Sequence, residues 1–243
     1  MRTASALLAL ASLAAPLSAQ QIPEIAWPVH DTTRPRPQVV APDPVPSDAT
    51  VLFDGSSLAA WHSPKGDAAT WRITEGAMVA VAGAGDIETV ESFGDVQLHV
   101  EWMTPRDAKA GQNSGNSGVY LMKHYEVQVL NSYQNDTYPD GQAAALYGQY
   151  PPLVNASRAP GEWQSYDIVF RAPRFDSAGS LTSPAMVTVL HNGVLVQDHV
   201  VLTGPTGHQE RPPYEVHPAR LPILLQDHGE AVRYRNIWVR QLQ

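Results

Sequence analysis

The sequence predicts an all-β protein, an antiparallel β-sandwich of the concanavalin A-like jelly-roll type. Three observations carry that prediction. Beyond residue 49, short apolar runs alternate with a period of two and are broken by turn residues. The 243-residue chain is rich in Pro and Gly, 21 and 17 residues, which suits many strands joined by turns. No apolar pattern with a 3.6-residue period is long enough for a helix, and no internal repeat is present.

Residues 1–19 form the first element. Arg2 precedes an apolar stretch through Leu17 and a small-residue end, so the segment reads as a signal peptide cleaved after Ala19. It is too short for a membrane-spanning helix, and no membrane span is expected after cleavage. Residues 20–48 form a Pro-rich linker, with prolines at 23, 28, 35, 37, 42, 44 and 46 favouring extended chain. The chain carries no cysteine, so disulfides, thiol catalysis, Cys-ligated zinc and a lipidated N-terminal Cys are excluded. The expected location is the periplasm or the exterior, with stability coming from a hydrophobic core. The formal charge of −8 without a Lys/Arg cluster sets nucleic acid aside as a partner.

Residues 49–243 form the domain. "TVLFDG" and "TWRITEGAMVAVAG" open it, with a hairpin turn expected at Glu75-Gly76. "VQLHVEWMTP" alternates Val96, Leu98, Val100 and Trp102 against Gln97, His99 and Glu101. "SGVYLMKHYEVQVLNSY" reads as the longest strand, and "EWQSYDIVFRAPRF", "AMVTVLHNGVLVQDHVVL", "LPILLQDHG" and "VRYRNIWVRQL" complete the set. Asn192-Gly193 is the clearest turn, because both residues accept positive φ.

Candidate chemistry lies on polar residues that point away from the core at mid-strand. Tyr120, His124, Glu126 and Gln128 oppose the core candidates Val119, Leu121, Val127 and Val129. His99 and Glu101 share a face on their strand, as do Gln226 and His228, with Asp227 opposite or entering a turn. Arg233 and Arg235 share another. If these strands are neighbours, carboxylate, imidazole, amide, guanidinium and phenol groups converge as in a sugar site. Tyr120, Tyr133, Tyr147 and Trp163 are then the candidate stacking rings. Surface ion pairing is the competing reading for Glu101, Arg233 and Arg235.

Jelly-roll endo-glucanases carry two Glu residues on one strand as nucleophile and acid/base. Here that line reads Glu126, Gln128, Leu130, Asn131, so the central Asp is an amide and the second Glu is missing. One strand cannot supply two carboxylates.

The blocks "LFDGSSLAAWHS", "WRITEGAMV", "GNSGVYLMKHYEVQVLNSY", "PGEWQSYDIVF" and "LQDHGEAVRYRNIWVRQL" occur in order. Together they resemble the 3-keto-disaccharide hydrolase domain family over about Ala49 to Leu242. The resemblance implies a concanavalin A-like jelly roll, export, and a carbohydrate substrate whose sugar has a ketone at C3. The ketone acidifies the C2 proton, so one base can start an elimination that water completes. On this resemblance Glu126 is the base or acid and His228 takes the complementary role. Gln128 and Arg235 would hold hydroxyls or the keto oxygen, with Tyr120, Glu101, His124, Asp227 and Trp163 as further substrate contacts. Many relatives carry Asp where this chain has Asn131. A divalent cation held by His and carboxylate groups would also serve, although no compact ligand-spaced motif encodes one and no cofactor is identified. Two alternatives stand: a non-catalytic carbohydrate-binding module, and a conventional glycosidase pairing carboxylates from different strands, such as Glu101 with Glu126. The sequence is silent on oligomeric state.

Overall fold

The computed structural model describes residues 26–42 and 44–242, so the expected signal peptide lies outside the described residues. The chain divides into two compact units, 1–39 and 40–243. In the first, Asp31 organises a turn by accepting from the Thr33 amide and hydroxyl at 2.8 and 2.7 Å. The second begins at Val40, before the expected end of the linker. There Asp48 is held by a two-pronged pair with Arg240, 2.7 Å at each prong.

The second unit is a strand protein. In chain order its strands are β1 Thr50–Phe53, β2 Trp61–His62, β3 Arg72–Thr74, β4 Ala77–Val79, β5 Ile87–Thr89, β6 Val96–Met103, β7 Ser117–Leu121 and β8 Tyr125–Val129. There follow β9 Gln164–Arg171, β10 Arg174–Phe175, β11 Leu181–Ser183, β12 Met186–His191, β13 Val194–Val201, β14 Leu224–Leu225 and β15 Arg233–Gln241. Among the described residues the only helices are single 3-10 turns at Gly111–Asn113 and Pro139–Gly141, and none is long and apolar enough to cross a membrane.

Two antiparallel sheets form the sandwich. The larger runs β13-β12-β9-β6-β15-β4-β3, with β1 also pairing on β15, and the smaller runs β2-β5-β14-β7-β8. The alternation expected of Val96–Trp102 appears as strict in–out burial along β6. Its inner residues meet those of the smaller sheet in a core that includes Leu98, Trp102, Val119, Val127, Tyr166, Phe170 and Tyr234. Burying each large apolar side chain contributes about 1.5–3 kcal/mol. Polar atoms also tie the layers together: Tyr166 donates to the Gln128 carbonyl at 2.7 Å, and the Tyr234 and Ser117 hydroxyls lie 2.7 Å apart. The turns expected at Glu75-Gly76 and Asn192-Gly193 are present, with positive φ at all four residues.

One expected element is two. The run taken as the longest strand folds into the β7–β8 hairpin, in which Leu121 faces Tyr125. Met122 and Lys123 make the turn at φ 53° and 64°. Residues other than Gly, Asn and Asp seldom adopt such angles, so nothing in "LMKHY" announces the reversal. Met122 is buried beneath the turn, which helps to fix its conformation.

Candidate active site

The β7–β8 hairpin builds the floor of the site. Its register sets Tyr120 opposite Glu126 and Gly118 opposite Gln128, on the face turned away from the core. The row continues across the sheet, because Leu224 pairs with both Tyr120 and Glu88, and His62 pairs with Glu88. The Tyr120 hydroxyl donates to Glu126 Oε2 at 2.8 Å, and Gln226 Nε2 lies 3.4 Å from the same hydroxyl. A side chain at Gly118 would place its Cβ 2.5 Å from Glu126 Oε1, so the glycine opens the space that the carboxylate fills.

Loops bury this outward-facing carboxylate. β8 is an edge strand, and its free edge is covered on both halves. The Gln128 backbone exchanges hydrogen bonds with Ala144 and Ala145, while the Glu126 amide donates to Thr206 Oγ1 at 3.0 Å. Glu126 is left only 5% exposed. Burial pushes its carboxyl up to about 8, and the Asp86 charge adds to the rise against the opposing Tyr120 hydrogen bond. Asp86 is raised too, by burial first and then by the Asp227 and Glu88 charges, although the Asp227 amide bonds it. Burial and the Glu126 carboxylate carry the Tyr120 phenol far above its ordinary range, so it remains a donor.

Beside this floor lies a cavity of about 560 Å³, lined by Tyr138, Asp140, Tyr147, Gly148 and the 208–211 loop. That size accommodates a small glycoside. Hydrogen bonds join cavity and floor: the segment leading to Tyr147 pairs with β8 through Ala144 and Ala145, and the segment leading to His208 meets the Glu126 amide through Thr206. A buried carboxyl poised near neutrality next to a phenol-lined cavity is equipped for proton transfer.

The structure gathers only part of the residue set expected from the sequence. Glu126 and Tyr120 are together, and Gln128 is on the same face. The Gln128 side chain is fully buried, its Nε2 donating to Asn116 Oδ1 at 3.0 Å. His124 sits in the hairpin turn rather than on a strand, and its ring stacks on His217 with centroids 5.0 Å apart. Asp227 has both carboxylate oxygens occupied by main-chain amides, Gly85 at 3.0 Å and Gly229 at 2.9 Å, so it clasps two loops. His228 is exposed on that loop, within electrostatic range of Asp86. Asn131 is tied into its own loop by Ser114 and the Tyr133 amide.

Glu101, Arg235 and Trp163 belong elsewhere. They lie on the outer face of the larger sheet, across the sandwich from Glu126. Arg235 Nε donates to Glu101 Oε2 at 2.6 Å, and its guanidinium covers the Trp163 ring at 4.0 Å. Burial alone would raise Glu101, but hydrogen bonds from Asn236 and Arg235 outweigh it and hold the carboxyl below its usual value. A bulge in β15, with Asn236 at φ 46°, turns the Asn236 side chain toward Glu101. The surface ion-pair reading therefore describes Glu101 and Arg235, and the two-carboxylate pairing of Glu101 with Glu126 is ruled out by position.

Sequence reasoning did not select Asp86, Tyr138, His208 or Arg211. Asp86 and Glu88 flank the buried Ile87, so the alternation in "DIE" was a usable signal. The others come from irregular loops, which carry no period to read. Among the described residues, no three His, Asp or Glu side chains gather as metal ligands.

Fold and site thus define a jelly-roll domain with a buried carboxyl of raised proton affinity on the outer face of its smaller sheet. Residues 48–240 match the family described as the 3-keto-alpha-glucoside-1,2-lyase-like domain, and the chain belongs to that family. A crystal structure from Parabacteroides distasonis, described as a "putative glycosyl hydrolase", is 43% identical with a TM-score of 0.85, covering 88% of this chain and 95% of that one. Two further structures from the same organism, under the same description, share the fold at 20% and 22% identity. Their TM-scores are 0.58 and 0.57, covering 81% and 80% of this chain and 94% and 99% of theirs. No protein of curated function matches.

Proposed function

We propose that this protein cleaves glycosides whose sugar carries a ketone at C3, by removing the C2 proton and expelling the C1 substituent. Glu126 is the base. The observation that carries the reading is its burial beside the cavity with a single phenolic donor, Tyr120, on one oxygen. The other oxygen lies over Gly118, whose lack of a side chain leaves it room. The family's description, which names a 1,2-lyase acting on a 3-keto-glucoside, supports the same chemistry, and the description of the 43% identical relative supports glycoside cleavage.

The chemistry asks for one strong base. A carboxylate with its proton affinity raised to about 8 is a better acceptor for a carbon acid than one at the usual value. At pH 7 about a tenth of the molecules hold Glu126 ionised. Activity on a bound 3-keto-glucoside therefore rises about tenfold per pH unit below 8 and levels above it. The asymmetric placement of the carboxylate also sets a strict steric condition. Gly118→Ala drives a methyl into Glu126 Oε1 and the Tyr120 ring. It is expected to lower kcat/KM on the order of 10²-fold, as an ångström-scale displacement of a reacting group does. Steady-state kinetics beside a thermal melt would check this.

Expected export to the periplasm or exterior rests on residues 1–19 alone and is part of the proposal. The experiment that tests the reaction class compares trehalose with 3-keto-trehalose. Cleavage of the keto substrate alone supports elimination. Cleavage of both would transfer the reading to a two-carboxylate hydrolase, for which Asp86 is the partner carboxylate that Glu126 senses. Saturable binding without turnover would leave a carbohydrate-binding module.

A further inference from the structure

The hydroxyls lining the cavity form a connected chain built from separate loops. The Tyr138 and Tyr147 hydroxyls are 2.9 Å apart, and the Tyr147 hydroxyl is 3.4 Å from His208 Nδ1. Tyr138 packs so closely over Gly141 that a Cβ there would lie 2.1 Å from its ring. Arg211 Nε donates to the Gly148 carbonyl at 2.9 Å, fastening the loop that carries His208 to the segment that carries Tyr147. The segments that carry Tyr147 and His208 are both held against β8, where the Gln128 amide donates to the Ala145 carbonyl and the Glu126 amide donates to Thr206 Oγ1. His208, at the end of the chain, is exposed to solvent.

Elimination leaves a demand that Glu126 does not meet. When the C1–O bond breaks, the departing sugar oxygen carries the electron pair and needs a proton. Glu126 has just accepted the C2 proton, and the phenol of Tyr120 is committed to its carboxylate. We propose that Tyr147 supplies the proton to the leaving oxygen and that His208 restores it from water; this rests on the elimination reading above. The C2–H electron pair forms the enolate, and its collapse restores the C3 carbonyl and forms the C1–C2 double bond. The C1–O pair leaves with the oxygen, which takes the Tyr147 phenolic proton. The phenolate then receives a proton from His208 Nδ1 while Nε2 takes one from solvent. Tyr147 is the catalytic residue of this step and His208 acts through it.

The test varies the leaving group. A sugar alcohol leaves poorly without a proton, whereas p-nitrophenolate leaves without one. In Tyr147→Phe, cleavage of 3-keto-trehalose is expected to fall by about 10²- to 10⁴-fold. Cleavage of p-nitrophenyl 3-keto-glucoside, and exchange of the C2 proton with deuterated solvent, should stay within a few-fold of wild type. His208→Gln should show the same split at smaller size. The nitrophenyl substrate also reports that each variant is folded. Equal losses on both substrates, or none on either, would overturn the assignment while leaving elimination intact. Absence of solvent deuterium at C2 of the wild-type product would instead remove the elimination reading and this step with it.

Discussion

Glu126→Gln is expected to lose at least 10³-fold in kcat on 3-keto-trehalose, and to lose C2 exchange with it. The amide is nearly isosteric and keeps an acceptor for the Tyr120 hydroxyl, which now bonds Glu126 Oε2 at 2.8 Å. It fits the space over Gly118, and the outer-edge bonds of β8 run through backbone atoms that the substitution leaves alone. What it lacks is a site that accepts a proton. General-base removal typically costs 10²–10⁴-fold, and the upper part of that range applies because no neighbouring base replaces the lost one at the same oxygen. Substrate affinity should change little, so the loss falls on kcat rather than KM. A loss confined to KM would make Glu126 a binding group.

The same substitution is expected to stabilise the fold at alkaline pH. Glu126 has a folded value of about 8 against an ordinary 4.5. Burial favours its neutral form, so the sign runs opposite to that of a paired surface carboxylate. The stability of the neutral carboxyl is fully present below 4.5, falls as pH rises through the interval, and is lost above about 8. Each pKa unit is worth about 1.4 kcal/mol, so the full interval amounts to several kcal/mol. Glutamine does not titrate and avoids that loss. Glu126→Gln and wild type should therefore unfold alike near pH 4, with the variant progressively more stable up to pH 9, by on the order of 10 °C in Tm. Asp86 is raised in the same direction, but it is present in both proteins and largely cancels in the difference. Melts in matched buffers across that range would check the curve. A constant offset at every pH would mean that Glu126 is not held neutral. A fold that gains stability when this carboxyl is replaced is one that keeps an unfavourable charge at Glu126.

How far the fold could be read depended on whether local preference and tertiary structure agreed. At Asn192-Gly193 and Glu75-Gly76 the turn residues and the flanking alternation point to the same hairpins, and both form. Along β6 the period of two reports burial residue by residue. At Met122-Lys123 they disagree: the backbone takes a left-handed turn with residues that do not prefer it, held by the buried Met122 and the pairing on either side. The side-chain parity survived that error because three residues, 122–124, separate the paired Leu121 and Tyr125. Tyr120 and Glu126 therefore share a face in either reading, while His124 does not.

The candidate site was less legible for a topological reason. Alternation tells which side of a strand a residue occupies, but not which sheet the strand joins. Glu101 and Arg235 point outward as expected, yet β6 and β15 belong to the larger sheet and Glu126 to the smaller. Asp227 was expected opposite Gln226 and His228 or entering a turn, and as a substrate contact, but its carboxylate is taken by the Gly85 and Gly229 amides that the fold brings to it. Tyr138, Tyr147 and His208 meet only because loops of different origin close over the hairpin.

The most direct test of the central claim is to incubate the wild-type protein with 3-keto-trehalose in deuterated water and follow the label at C2. Proton abstraction by Glu126 predicts deuterium at C2 in the product, and in recovered substrate wherever abstraction outpaces departure of the leaving sugar. Complete cleavage with C2 retaining its original hydrogen would contradict the account.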